Sequence, residues 1–352
     1  MSVSAPAGTR TPVARMVAQG RRRRASRRRV VVLTLAVLVV AGFLVTLMAG
    51  QTFYPLGDVV RVVLGEQVPG ASFTVGRLRL PRAVLAVAAG FCFGLGGVTF
   101  QTMLRNPLAS PDIIGISWAA SAAAAVAIVS LSLDRAQVSF LAIVSALAVA
   151  LLVYTLAFRD GVAGTRLILI GIGIAAMLES VTSYVLSQAA DWDLQEALRW
   201  LTGSLNGTTW EQVVPVVVAL AVLAPVLLSQ GRDLSALQLG DDTAAALGVR
   251  VERTRLTVIV ASVGLIAFAT SAAGPIAFVA FLSGPIAARL VGTDGSLLVP
   301  AGLVGALLVL VADFTGQFAF DIRYPVGVVT GVLGAPYLVY LIVRTHRAGG
   351  SL

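Results

Sequence analysis

Lysine is absent from this chain of 352 residues, in which all 26 basic residues are arginine. A phosphate-binding P-loop needs a lysine after its second glycine, so the chain cannot hydrolyse ATP by that route. Schiff-base catalysis, which uses a lysine amine, is excluded for the same reason. Any ATP hydrolysis by the P-loop route would therefore have to come from another protein.

Cysteine and histidine each occur once, as Cys92 and His346. A single cysteine allows no disulfide within the chain, and Cys92 lies in an apolar segment where we expect a small packed residue. Metal centres made from these residue types need several ligands together. A Cys/His metal centre is therefore excluded, whereas a carboxylate site would need evidence of its own. We assign no metal site and no cofactor.

Charge is scarce as well, because 12% of the residues are charged and 57% are hydrophobic. Soluble domains carry roughly 25% charged residues, so the lipid bilayer is the expected solvent. The net charge is +9, and nine arginines fall within residues 10–29, ahead of the first apolar run. That placement is typical of a cytoplasmic membrane flank, and we expect no nucleic-acid partner.

Apolar runs of about 20 residues, the length that crosses a bilayer as a helix, recur along the chain. They predict an all-α integral membrane protein with ten transmembrane helices. We divide the chain into a basic, disordered leader (1–29), a ten-helix domain (30–345) and a tail (346–352). The predicted spans are approximately 30–50, 83–104, 113–132, 138–157, 166–188, 212–229, 255–273, 275–291, 297–316 and 325–343.

Arginine placement orients these spans with both termini in the cytoplasm, since positive residues favour that side. The segments 105–112 and 230–254 are then cytoplasmic, whereas 51–82, 189–211 and 317–324 face outward. Spans two to five and seven to ten are offset by five helices, and an odd offset reverses direction. The two blocks could therefore form an inverted repeat.

Small and polar residues within the spans suggest helix contacts and a transport path. Gly90 and Gly94 are four residues apart, as are Gly327 and Gly331, a spacing that lets helix backbones approach closely in lipid. The polar residues at membrane depth are Gln101, Glu179, Asp313 and Gln317. Glu179 could be a proton site or a helix–helix hydrogen-bonding group, and we expect Asp313, near the end of its span, to be partly solvated.

Three polar segments interrupt the apolar pattern. The sequence "RLRLPR" (77–82) places arginines on the outer side, where they would attract an acidic partner. In "RNPLASPDIIGIS" (105–117), Asn106 and Ser110 each precede a proline, which predicts a stiff elbow between two spans. In "LGDDTAAALGV" (239–249), two glycines bracket a short helix that we expect to bind another protein.

These segments, together with "LILIGIGI", "WLTGSL", "GPIAFVAFLSGPIAARLVG" and "PVGVVTGVLGAPYLVYL", follow one another in a familiar order. The chain resembles the permease subunits of type II ABC importers for ferric siderophores, haem and cobalamin, the FecCD family. The resemblance covers about residues 50–345. It implies a non-enzymatic transport subunit in a bacterial plasma membrane that imports ferric siderophores, with cobalamin or haem as the alternative cargo.

The resemblance also implies partners and roles. The partners are two ATPase subunits, a second permease (a related heterodimer partner, with a homodimer as the alternative) and an extracytoplasmic siderophore-binding protein. Relatives often carry arginine where this chain has Gln317, and Arg323 is expected to replace that charge. The implied residues are Arg79, Arg82 and Arg323 for docking the binding protein; Gly240, Asp241, Leu247, Gly248 and Arg250 for the ATPase; and Asn106, Pro107 and Leu108 for a cytoplasmic gate.

Two rival functions remain open on residues alone. An ion-coupled secondary transporter would use Glu179 and Asp313 and would transport without an ATPase. A membrane scaffold or sensor would not transport at all.

Overall fold

The computed structural model describes residues 12–112, 115–157, 164–292 and 295–347, and helices joined by loops make up these ranges. Short π-helical turns cover Thr74–Arg79, directly before α3, and Val126–Ser130, directly after α4. The helices are α1 (Pro12–Met48), α2 (Leu56–Val63), α3 (Leu80–Met103), α4 (Ile116–Ala125), α5 (Arg135–Ala157), α6 (Gly164–Ser187), α7 (Asp191–Leu201), α8 (Trp210–Ser229), α9 (Gly231–Leu237), α10 (Asp241–Ala246), α11 (Val251–Ala273), α12 (Val279–Val291), α13 (Leu298–Phe318) and α14 (Val326–Arg347).

Seven of the described helices are long and apolar enough to cross a membrane: α1, α3 with its π-helical turn, α5, α6, α8, α11 and α13. Apolar segments in α4, α12 and α14 coincide with the other three predicted spans but are shorter. The all-helical membrane class is thus confirmed. Gly274, with a φ of 70°, ends α11 and separates it from α12, as predicted from Gly274 and Pro275.

The first helix differs from the expected disordered leader, because α1 includes the arginines from residue 15 to residue 29. Arginine and alanine have high helix propensity. The apolar half of α1 is already helical, so the helix can extend through the arginines without the cost of a new nucleus. Arg27 donates a hydrogen bond to the Leu290 carbonyl at 3.4 Å, and Arg28 donates to the Ser296 carbonyl. Residues 1–11 and 348–352, parts of the predicted leader and tail, lie outside the described residues.

The centre of the bundle is formed by α3, which packs on α11, α12 and α13. Cys92 is fully buried in this core, in agreement with its predicted role as a small packed residue. Glycines on α3 allow its backbone to approach that of α13 closely. A Cβ atom on Gly94 would lie only 2.2 Å from the Ala301 carbonyl oxygen, and a Cβ atom on Gly90 would lie 2.5 Å from the Gly305 carbonyl oxygen. Gly331, in contrast, has open space around it.

We expect Gly94→Ala to lower the free energy of unfolding by about 2–3 kcal/mol, because the new methyl group would push α13 away from α3. Gly331→Ala is the matched control. It should be neutral or stabilising by about 0.5–1 kcal/mol, the usual gain when alanine replaces glycine in a helix. Equilibrium denaturation in detergent micelles measures both changes, and equal effects would contradict the close α3–α13 contact.

Candidate functional site

Polar side chains gather at both ends of the bundle. Arg82 lies in the first turn of α3 and Arg105 follows its last turn, so about 35 Å of helix separates them at 1.5 Å per residue. We call the first group (Arg82, Asn206, Asp313 and Gln317) the Arg82 network. The second group (Arg105, Asp241, Glu252 and Arg255) is called the Asp241 network.

The Arg82 network joins three parts of the chain through a bidentate ion pair. Arg82 Nε and Nη2 donate to the two Asp313 carboxylate oxygens at 2.9 and 2.8 Å. Arg82 Nη1 donates to Asn206 Oδ1 at 2.6 Å, and Gln317 Nε2 donates to Asp313 Oδ2 at 2.8 Å. The network therefore connects the start of α3 to the last turns of α13 and to the loop after α7.

Asp313 corrects one expectation, because its side chain is only 2% exposed rather than partly solvated. The Arg82 side chain is 16% exposed, so both charges are largely removed from water and depend on one another. Gln317, which we expected to leave a docking charge missing, instead donates to the same carboxylate. The sequence indicated each charge separately but gave no sign of their pairing.

Arg79 is also bound within the chain, where it caps the carboxyl end of α1. Its Nη1 donates to the carbonyl oxygens of Leu47 and Met48, each at 2.9 Å, and its Nη2 donates to that of Thr52 at 2.7 Å. Its guanidinium carbon also lies 5.0 Å from the centre of the Tyr54 ring. Of the three predicted docking arginines, Arg323 is exposed, whereas Arg79 and Arg82 are partly buried.

The elbow after α3 is held by local hydrogen bonds and by packing. The Leu108 backbone N–H donates to Asn106 Oδ1 at 2.9 Å, which closes the turn that contains Pro107. Leu108 packs against the cluster formed by Phe281, Leu282 and Leu341 from α12 and α14. The three predicted gate residues therefore form one compact turn against two apolar helices.

The second half of the elbow is fixed by Asp112. Ser110 Oγ donates to its Oδ2 at 3.1 Å, and Ser117 donates to its Oδ1. Burial raises the pKa of the Asp112 carboxyl, and the hydrogen bonds from the two serines act in the opposite direction. The residues directly after it, 113–114, which complete the predicted elbow motif, lie outside the described residues.

The predicted short helix between Gly240 and Gly248 is present as α10. Both glycines have positive φ, 106° and 87°, which a side chain would oppose. Leu247, at the carboxyl end of α10, is 64% exposed, and Arg250 is exposed beyond it. The helix therefore presents an apolar side chain and a positive charge on its outer surface.

The Asp241 network brings the elbow and α10 together. Arg105 Nη2 donates to Asp241 Oδ1 at 3.1 Å, and Arg255 Nη2 donates to both oxygens of the same carboxylate, at 2.8 and 2.7 Å. Arg255 Nη1 also lies 3.5 Å from Glu252 Oε1. Sequence reasoning placed Asp241 in a protein-binding helix but did not connect it with Arg105.

The pattern of a known family matches residues 37–344 of this chain. The chain belongs to the FecCD transport family. It is 38% identical over 319 residues to the ferric enterobactin transport system permease protein FepG of Escherichia coli K12, across 90% of this chain and 96% of FepG. It is 37% identical over 275 residues to the cobalamin import system permease protein BtuC of Halobacterium salinarum, across 77% of this chain and 74% of BtuC.

A solved structure supports the same assignment for the fold. It is described as an inward-facing conformation of a metal-chelate type ABC transporter, and it matches with a TM-score of 0.80 at 26% identity. The match covers 89% of this chain and 98% of that chain. The FecCD chain is thus the multi-pass permease subunit of an ABC importer, which implies ATPase and binding-protein partners. This identification excludes the two rival functions that the residues alone left open, an ion-coupled secondary transporter and a membrane scaffold or sensor.

Proposed function

We propose that this FecCD permease imports ferric siderophores across a bacterial plasma membrane. The observation that carries the proposal is the similarity to the ferric enterobactin permease, which extends over 96% of that protein. The similarity to a cobalamin permease keeps cobalamin as the second candidate, and haem is the third. Two ATPase subunits on the cytoplasmic side and a siderophore-binding protein outside complete the importer.

For the fold, we propose that residues 30–345 cross the membrane ten times, with both termini in the cytoplasm. We also propose that the crossings include an inverted repeat. The repeat pairs α3, α4, α5 and α6 with α11, α12, α13 and α14. Helix packing supports this pairing, because each contact has a counterpart in the other block. The contact of α3 with α13 corresponds to that of α11 with α5, and the contact of α4 with α5 corresponds to that of α12 with α13. The pairs α5–α6 and α13–α14 correspond in the same way.

A second permease subunit is proposed to cover α6, whose exposed surface carries polar side chains among apolar ones such as Leu169 and Met177. Glu179, Ser180, Ser183 and Ser187 are all exposed, and Glu179 makes no hydrogen bond or ion pair with any described residue. Facing lipid, an ionised carboxylate at this depth would cost several kcal/mol. We therefore infer that this surface meets the transport path between two permeases, where Glu179 is hydrated. We propose that the partner is a related but different permease, with a second copy of this chain as the alternative.

A cysteine at Ser180 should therefore react with a water-soluble maleimide, since thiols react as thiolates and need water. The control is Val218→Cys, because Val218 is 55% exposed on the apolar surface of α8. In assembled importers carrying Cys92→Ala, the Ser180→Cys variant should react at least about tenfold faster, as expected where thiolate formation is favoured. Similar rates at the two positions would contradict a hydrated path along α6.

For docking of the binding protein, we propose the end of the bundle that carries the Arg82 network. Arg323 would contact acidic side chains directly, whereas Arg79 and Arg82 would shape the surface through their internal bonds. A pocket of about 540 Å³ at the same end is lined by Arg135 and Arg199, and also by Asp193 and Glu196. Because these charges balance, the positive charge that favours an acidic partner is that of Arg323.

We expect Arg323→Glu to weaken binding-protein affinity by about tenfold, as a reversed charge repels an acidic partner. Raising the salt concentration should reduce the difference between this variant and the wild type. The control Arg253→Glu makes the same change at an exposed position beyond α10 and should leave affinity unchanged. Surface plasmon resonance on nanodisc-embedded importers measures this, and unchanged affinity for Arg323→Glu would exclude the contact.

For the opposite end, we propose that α10 and its flanking residues bind an ATPase subunit, and that Asn106, Pro107 and Leu108 form part of the cytoplasmic gate. The exposed Leu247 and Arg250 support the first assignment. The contact of Leu108 with α12 and α14 supports the second, because movement of those helices would carry the turn with them.

Reconstitution tests the whole proposal. Proteoliposomes containing the permease, its ATPase and the binding protein should take up an iron-55-labelled ferric siderophore only with ATP. Removing the catalytic carboxylate of the ATPase should abolish uptake. Continued uptake by that variant would contradict an ATP-driven importer, and uptake of cobalamin or haem in place of all ferric chelates would support the alternative cargo.

A further inference from the structure

The Asp241 network connects two segments with different proposed roles. Asp241 begins α10, and Arg105 is the first residue of the elbow that carries Asn106, Pro107 and Leu108. The two segments are 136 residues apart in sequence. The Arg105–Asp241 ion pair is thus a direct contact between the proposed ATPase-binding helix and the proposed gate.

The two arginines bind Asp241 with unequal strength. Arg255 is only 8% exposed and makes a two-oxygen contact with the carboxylate at 2.8 and 2.7 Å. Arg105 is 45% exposed and makes a single contact at 3.1 Å. Because water screens exposed pairs, the Arg105 contact contributes little and breaks easily. The Arg255 contact is more persistent, since breaking it would leave a buried charge with only the longer contact to Glu252.

The backbone at Arg105 adds a second observation. Arg105 has a φ of 52°, in the left-handed region that residues other than glycine rarely adopt. Such a conformation persists where surrounding contacts hold it. The backbone N–H of Arg105 donates to the Thr102 carbonyl at 3.3 Å, and its side chain reaches Asp241. The local bonds of the elbow therefore hold this backbone conformation, and the Arg105–Asp241 contact adds a weak, reversible link from the elbow to α10.

We propose that Arg105 and Asp241 form a latch that transmits movement of the ATPase-binding helix to the gate. Arg255 keeps Asp241 fixed to the start of α11, and the weaker Arg105 contact closes and opens as α10 moves. This rests on the proposed function, since it takes α10 as the ATPase-binding helix. Arg105 is a positioning residue and has no contact with cargo in this role.

Arg105→Ala should uncouple the importer without dissociating it. In reconstituted importers, we expect ATPase subunits to remain bound, while the number of siderophores imported per ATP hydrolysed falls at least tenfold. Arg105→Lys should recover much of that ratio, because lysine restores the charge. Asp241→Asn should also lower the imported amount. The control Arg253→Ala removes an exposed arginine at the same end and should keep the wild-type ratio.

Two outcomes would overturn the latch. A wild-type import ratio in Arg105→Ala would show that the contact transmits nothing. Loss of bound ATPase in Arg105→Ala would show that Arg105 belongs to the docking surface instead. Failure of the proposed function is distinguishable, because it would appear in the wild-type importer as an absence of ATP-driven uptake.

Discussion

Asp313→Ala is expected to lower the free energy of unfolding by about 3–5 kcal/mol, the usual cost of breaking a buried ion pair from one side. The variant leaves the Arg82 guanidinium, 16% exposed, without its carboxylate partner. Gln317 would also lose its acceptor. Equilibrium denaturation of the permease in mixed micelles measures the loss, which should be among the largest for any single substitution at this end.

Two controls separate the ion pair from a general effect of acidic residues. Asp321→Ala removes an exposed carboxylate at the same end and should change stability by less than about 0.5 kcal/mol. Combining Arg82→Ala with Asp313→Ala should cost less than the sum of the single changes, because neither partner is then left alone. Strict additivity, or a loss below about 1 kcal/mol for Asp313→Ala, would contradict the buried pair.

Leu247→Glu is expected to weaken ATPase binding by at least about 100-fold, which corresponds to roughly 2.7 kcal/mol. Leu247 is 64% exposed at the end of α10. Covering a leucine side chain contributes about 1.5–3 kcal/mol, and a glutamate there would have to be desolvated without a partner. The affinity of purified ATPase for the nanodisc-embedded permease measures the effect directly.

The matched control is Leu131→Glu, the same change at a leucine that is 54% exposed at the opposite end of the bundle. It should leave ATPase affinity within about twofold of wild type, because surface changes away from an interface have small effects. If Leu247→Glu also binds ATPase normally, α10 is not the docking helix, whatever the outcome for the Arg105–Asp241 latch.

Local patterns predicted the helices and their breaks well. The end of α11 follows from Gly274 and the proline after it, and α10 follows from Gly240 and Gly248, since such residues act on the backbone where they stand. The leader was the exception. Water can solvate its arginines in a coil as well as in a helix, so the charge pattern alone does not distinguish the two. The leader is helical because it continues the apolar helix that follows it.

Contacts between distant residues were beyond local patterns. Arg82 and Asp313 are separated by 231 residues, and Arg105 and Asp241 by 136. Each pair exists only because α3 lies beside α13 and its carboxyl end lies beside α10. The sequence therefore identified most of the polar residues that matter, including Arg82 for outer docking and Gln317 where relatives carry arginine, but it did not show that both contact Asp313.

Cysteine labelling tests the central claim, that the Arg82 end and the Asp241 end lie on opposite faces of the membrane. In a Cys92→Ala background, Arg77→Cys and Ala245→Cys each place one thiol at an exposed position. Five proposed crossings (α3, α4, α5, α6 and α8) separate them, including the short α4. With a membrane-impermeant maleimide, Arg77→Cys should react in intact cells, and Ala245→Cys only after permeabilisation. Reaction of both thiols from the same face would contradict the account.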